Sequence, residues 1–197
     1  QVSASDDTTS SSTSTSKDST RTLAVIESDA KSVEKSVAAL QETGDKSLFN
    51  EVTKTDENGN KTTGYDTDAI YKAVKNFTDS YNSLIDEVGN SNTKSILRAG
   101  ASMVNVTEAN RKSLSDIGIS IGADNKLTID EEKFKKTDMS KVKAMFADSS
   151  YYGTEVKRQA GRAESYAKSE AAKANTYQKS GSYTYNYRTG ELYNSTI

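Results

Sequence analysis

The side chains that do most enzyme chemistry are missing from this 197-residue chain, which holds no Cys and no His. That removes the thiolate nucleophile, soft metal ligands, disulfides and the commonest general base. A nucleophile–base pair would have to come from Ser with Lys, or from two carboxylates. Asp124 and Asp130, or Glu131 beside Glu132, are the nearest carboxylate candidates, and both pairs sit where a turn or a helix start needs acid. Asp56-Glu57-Asn58-Gly59-Asn60 has a calcium-loop flavour, but Lys61 and Thr67 stand where the loop Gly and the closing Glu belong. No glycine motif that cradles phosphate is present. These residues imply no enzyme, no metal, no cofactor and no small-molecule substrate.

The one group with evident binding chemistry is aromatic. Tyr183, Tyr185 and Tyr187 alternate near the end of the chain, and Tyr193 follows Thr189-Gly190. Spacing of two puts three rings on one face of a strand, where tyrosine supplies rigid amphipathic contact area for a partner or for the protein's own helices.

Helices must position whatever this chain presents. Leu23, Ile26, Ala30, Val33, Val37 and Leu40 step alternately by three and four, a heptad seam with Thr20 or Thr22 as its cap. Ile70, Val74, Phe77, Tyr81, Leu84 and Val88 repeat the pattern between Asp66 and Gly89-Asn90. Two such seams pack on each other or on a partner chain. A third stripe through Ile96, Leu97, Met103, Val104 and Val106 predicts a break near residues 105–107 and a short helix from Thr107 to Ser115. The last helix, from Thr154 to Gln178, carries an alanine seam of Val156, Ala160, Ala163, Ala167, Ala171 and Ala174.

Between the helices lie two hairpin signals. Val52–Thr55 and Lys61–Thr63 flank Asn58-Gly59, a strong turn pair. Ile117, Ile119 and Ile121 alternate on one strand face, Leu127 and Ile129 resume the alternation, and Asn125 is the residue able to take the left-handed turn conformation. Asp130 then caps a helix, and Val142 and Phe146 are expected to cover the isoleucine face. The fold class is therefore mainly α: an elongated antiparallel helical bundle or coiled coil with one or two small β-hairpins.

Composition supports a lean core, at 33% hydrophobic residues, and a net charge of −2 gives no bulk attraction to nucleic acid or anionic lipid. No apolar run reaches the ~18 residues of a membrane span. Residues 1–20 hold thirteen Ser or Thr and read as a disordered linker, an O-glycosylated stalk or an appended remnant. Residues 21–180 form the helical domain, with its hairpin at 116–130, and residues 181–197 form the Tyr-rich tail.

Leu114, Ile117-Gly118-Ile119, Leu127, Asp130, Phe134, Val142 and Phe146 together resemble the C-terminal region of flagellar filament cap proteins, also called hook-associated protein 2. Phe77, Tyr81-Asn82 and Leu84 resemble the aromatic-x-x-x-Tyr-Asn-x-Leu segment that precedes the hairpin in that family, so the likeness spans residues 66–148. It implies a helical base, outer β-rich domains, export through the flagellar secretion channel, and a ring at the filament tip that helps flagellin insert. This chain departs from the pattern in several places. The outer β domains have no room, Asn125 replaces the turn Gly, alanines replace the C-terminal Leu/Ile seam, and the tail has no counterpart. The implied protein is a short, divergent, extracellular cap-like relative whose partners are its own copies or flagellin-like subunits. A secreted or surface coiled-coil binding module is the competing class, and a cytoplasmic export chaperone a third.

Overall fold

A computed structural model describes residues 16–55, 57–147 and 150–174. Among them are seven α-helices and two antiparallel strand pairs: α1 (Thr20–Leu40), β1 (Glu51–Thr55), β2 (Lys61–Tyr65), α2 (Thr67–Gly89), α3 (Lys94–Ala109), α4 (Arg111–Asp116), β3 (Ile119–Ile121), β4 (Leu127–Ile129), α5 (Glu131–Lys136), α6 (Met139–Phe146) and α7 (Tyr151–Ala174).

Helix α1 is the axis of the bundle, packed along α7 on one side and α2 on the other. Its pairing with α7 runs antiparallel, because contacts descend α7 as they climb α1. Glu27 meets Lys168, Lys31 meets Glu164, Glu34 faces Gly161, and Gln41 Nε2 donates to Thr154 Oγ1 at 3.1 Å. Helix α2 is antiparallel to α1 as well, since Asp18, just before α1, bonds to residues 91–93, just after α2. Helix α3 closes the layer against α7. Alanines at 160, 163 and 167 are each nearly inaccessible, so α7 buries an almost smooth stripe that lets its neighbours approach closely.

Local chemistry sets most boundaries. Asp66, Asp130 and Asp138 each accept a backbone N–H from the first turn of α2, α5 and α6. The cap of α1 is Ser19, whose Oγ accepts from Thr22 N at 3.0 Å, in place of the expected Thr20 or Thr22. Helix α3 runs unbroken through residues 105–107, and the break falls at Asn110. The buried Thr107 is compatible with that helix because its hydroxyl donates back to Met103 O at 3.0 Å.

The second hairpin differs from its sequence reading in two respects. Ile117 caps the end of α4 instead of starting the strand, and Gly118 turns the chain at φ +86° with its Cα side against the Phe134 backbone. Ile117 is buried nonetheless. The strand pair packs chiefly on α2 and α4, while α6 packs on α7. Phe146 sits in an aromatic cluster with Phe77 (5.2 Å between centroids) and Tyr152 (5.6 Å). Its ring is drawn there because a cluster of edge-to-face aromatics offers more contact than a two-stranded ribbon does. Asn125 takes φ 64° at the turn, as expected of it.

Candidate assembly surface

The two heptad seams are consumed within the chain. Leu23, Ile26, Val33, Val37 and Leu40 of α1, and Ile70, Val74, Phe77, Tyr81, Leu84 and Val88 of α2, are all buried, none more than 3% exposed. They belong to one continuous core with Val156, Ala160, Ala163 and Ala167 of α7. Any partner therefore meets other residues. Tyr183, Tyr185, Tyr187 and Tyr193 lie outside the described residues, as does the greater part of the segment 1–20. Asp18, near the end of that segment, is buried.

What the described surface offers is a ribbon, a groove and two tyrosines. Strands β1 and β2 pair from Glu51 opposite Tyr65 to Thr55 opposite Lys61, with solvent on both faces of β1 and most of β2. The ribbon's side-chain links are local: Thr53 and Thr63 hydroxyls at 3.2 Å, and Lys54 to the α2 cap Asp66 at 3.2 Å. Gly59 supplies the turn at φ +83°. A two-stranded ribbon of this length is marginal alone, and its outer edges carry backbone groups that a further strand would satisfy.

The groove, about 390 Å³, runs between the end of α2 and the start of α3 beside the β3–β4 turn. Ile85, Val88, Leu97 and Val104 give its apolar floor, and Asp86, Asn90, Asp124 and Asn125 its polar rim. Gly100 determines its depth: a Cβ there would overlap Val88 Cγ1, so the two helices meet at the glycine. The Asp86 carboxylate binds Lys126 at 2.7 Å and holds that ammonium above its ordinary pKa. Leu97 is one of four large apolar or aromatic side chains exposed among the described residues, with Val52, Tyr151 and Tyr166. Sequence periodicity assigned Leu97 to the core stripe; the actual α3 stripe passes through Ile96, Ala99 and Met103. Nothing in the spacing singled out Val52, Tyr151 or Tyr166.

Inside the bundle, polarity is structural. Thr107 Oγ1 lies 3.4 Å from Tyr152 Oη. Burial pushes the Tyr81 phenol up to about 12 and the Tyr152 phenol higher still. Both hydroxyls stay protonated at physiological pH and act as neutral packing groups, not as nucleophiles. Among the described residues no three His, Cys, Asp or Glu side chains converge to hold a metal ion.

The family model described as flagellar hook-associated protein 2 C-terminus matches residues 90–196. Comparison with curated proteins and with solved structures gave no match. The matched stretch takes in α3 through α7 and continues across the four tyrosines of the tail, whereas the Phe77–Leu84 segment of α2 lies before it. Because the match covers more than half of the chain, the protein belongs to the flagellar hook-associated protein 2 C-terminus family.

Proposed function

We propose that this chain is an extracellular structural protein of the flagellar filament cap kind, acting by contacts with its own copies or with flagellin-like subunits. The observation that carries this reading is the family match over residues 90–196. The surface chemistry supports it. The apolar seams are turned inward, so association falls to the ribbon edges, the Leu97 groove and the tyrosine tail. We read residues 21–180 as one helical cap-like unit that Asp18, Ser19 and Thr20 join, the residues before Asp18 as a linker and 181–197 as a contact tail. No described helix is long and apolar enough to cross a membrane.

The test is reconstitution. Purified protein is added to flagellin monomers, and filament elongation is followed together with light-scattering mass. Enhanced elongation by an oligomeric species is the expected result. A strict monomer without effect on elongation would overturn the reading and favour a binding module with some other partner.

A further inference from the structure

Helix α7 ends at the groove's end of the bundle. Glu27 of α1 faces Lys168 of α7 at 4.0 Å. From that contact α7 runs on to Ala174 and α1 runs back to Thr20, each over about 10 Å, so the two helix ends lie level. Asp18, just before α1, is bonded to Ser91 and Thr93. Gly89 and Asn90, immediately before that corner, line the groove. Helix α3 packs on α7 and forms the groove's second wall, so about one helix diameter, roughly 10–12 Å, separates α7 from the groove.

Residues 175–197 follow α7 and lie outside the described residues. The segment 175–182, before Tyr183, can extend over about 26–29 Å, which exceeds the width of α3. The β1–β2 ribbon joins the end of α1 to the start of α2 at the opposite end of the bundle. It is the full length of α7 away, about 36 Å, and out of that reach.

Chemistry also matches this segment to the groove. The floor of Ile85, Leu97 and Val104 is apolar and the rim polar, which suits rings that carry a hydroxyl at one end. Of the two rim carboxylates, Asp86 binds Lys126, whereas Asp124 makes no ion pair among the described residues. Lys179 and Arg188 flank Tyr183, Tyr185 and Tyr187, and Glu191 is the one acidic residue of 175–197. A segment tethered this closely meets the groove at an effective concentration on the order of millimolar, well above that of a second copy in dilute solution.

We propose that residues 183–187 of the same chain occupy the groove, with tyrosine rings over Leu97 and the neighbouring Arg188 beside Asp124. The groove is then a receptor for the chain's own tail, whatever the protein assembles with. A partner that uses either surface must first displace this contact.

The test uses the full chain, whose lack of cysteine allows a single nitroxide to be attached. Asn105→Cys carries the label on exposed α3 surface one turn beyond Ala101 of the groove, and Lys61→Cys carries it on the ribbon. The label at 105 should broaden the amide NMR signals of Tyr183, Tyr185 and Tyr187 at every protein concentration, and the label at 61 should leave them sharp. Leu97→Asp should abolish the broadening. If that variant folds poorly, Tyr→Ser at 183, 185 and 187 keeps the test decisive, because it should remove ring-current shifts from the Leu97 methyl signals. Broadening by neither label, or equally by both, would overturn the proposal. So would broadening that passes from a labelled chain to an isotope-enriched unlabelled one, since the occupant would then be a second copy's tail.

Discussion

Asp18 Oδ2 accepts a hydrogen bond from Thr93 Oγ1 at 2.6 Å, across 75 residues of sequence. The same carboxylate takes Ser91 Oγ at 2.7 Å, Asn92 N at 2.6 Å and Asn92 Nδ2 at 3.2 Å. Thr93 opens α3 without capping it through its side chain, since that hydroxyl is given to Asp18. One acid thus ties the lead-in of α1 to the corner between α2 and α3.

Removing it should be costly. Asp18→Ala leaves the hydroxyls of Ser91 and Thr93, both buried, without their acceptor, and should destabilise by about 2–3 kcal/mol in urea unfolding. Burial opposes ionisation of Asp18, but the four donors outweigh it and hold its pKa below the ordinary value. Its contribution is therefore present above the unfolded pKa of about 3.9 and lost as pH falls through the folded value. The stability gap between the unsubstituted chain and Asp18→Asn should narrow only on acidification below about pH 4. A gap that stays constant down to pH 2 would mean that the carboxylate charge does not matter there.

Phe77 is fully buried, with Phe146 at 5.2 Å, Tyr81 at 6.0 Å and Tyr152 at 6.1 Å between ring centroids. Phe77→Ala should cost about 3–5 kcal/mol, since no neighbour can collapse into the space of a ring held on three sides. Thermal melting followed by near-ultraviolet circular dichroism reads both the stability and the loss of aromatic order. An unchanged melt would place the ring outside the core.

Two glycines inside helices should respond to alanine with opposite signs. Gly161→Ala meets only the Glu34 side chain at ordinary contact distances, so helix propensity should dominate and stabilise by about 0.5–1 kcal/mol. Gly100→Ala drives its methyl group into Val88 and should destabilise by about 1–3 kcal/mol despite the same propensity gain. Adding Val88→Ala to Gly100→Ala should recover part of that loss, and a double-mutant cycle would measure the coupling.

Asn82 holds β4 from the side. Its Nδ2 donates to Leu127 O at 2.8 Å and its Oδ1 accepts from Leu127 N at 2.7 Å. Asn82→Ala should leave both backbone groups of a buried strand residue without partners and cost about 1–3 kcal/mol. Amide hydrogen exchange should localise the damage to residues 119–129. Uniform loosening of the whole bundle would speak against a local clamp.

The helical layer was legible because its periodicity is strict. Every seam residue from Leu23 to Leu40 and from Ile70 to Val88 obeys the three–four step, and burial follows that step. What failed to show were effects that no local pattern encodes. Ile117 looked like a strand residue because alternation cannot register the turn imposed by Gly118. Phe146 was expected on the hairpin, but the aromatic rings it meets are Phe77, distant in sequence, and Tyr152, in the first turn of α7. Asp18 sat in a run of Ser and Thr whose composition argues for disorder, and only its distant donors make it part of the core. The assembly surface was the least legible part. Exposure of Leu97 depends on the rotation of α3 against α2, and the ribbon's isolation depends on what does not pack against it.

The antiparallel register of α1 with α7 also orders the protein in time. A nascent chain can pair α1 with α2 as soon as residue 89 is available, but the other flank of α1 stays uncovered until the last described helix arrives. Closing Glu27 onto Lys168 is the longest loop closure among these contacts, and contacts of such separation are slow to form. Within the described residues, α1 therefore stays covered on one flank only until α7 is present.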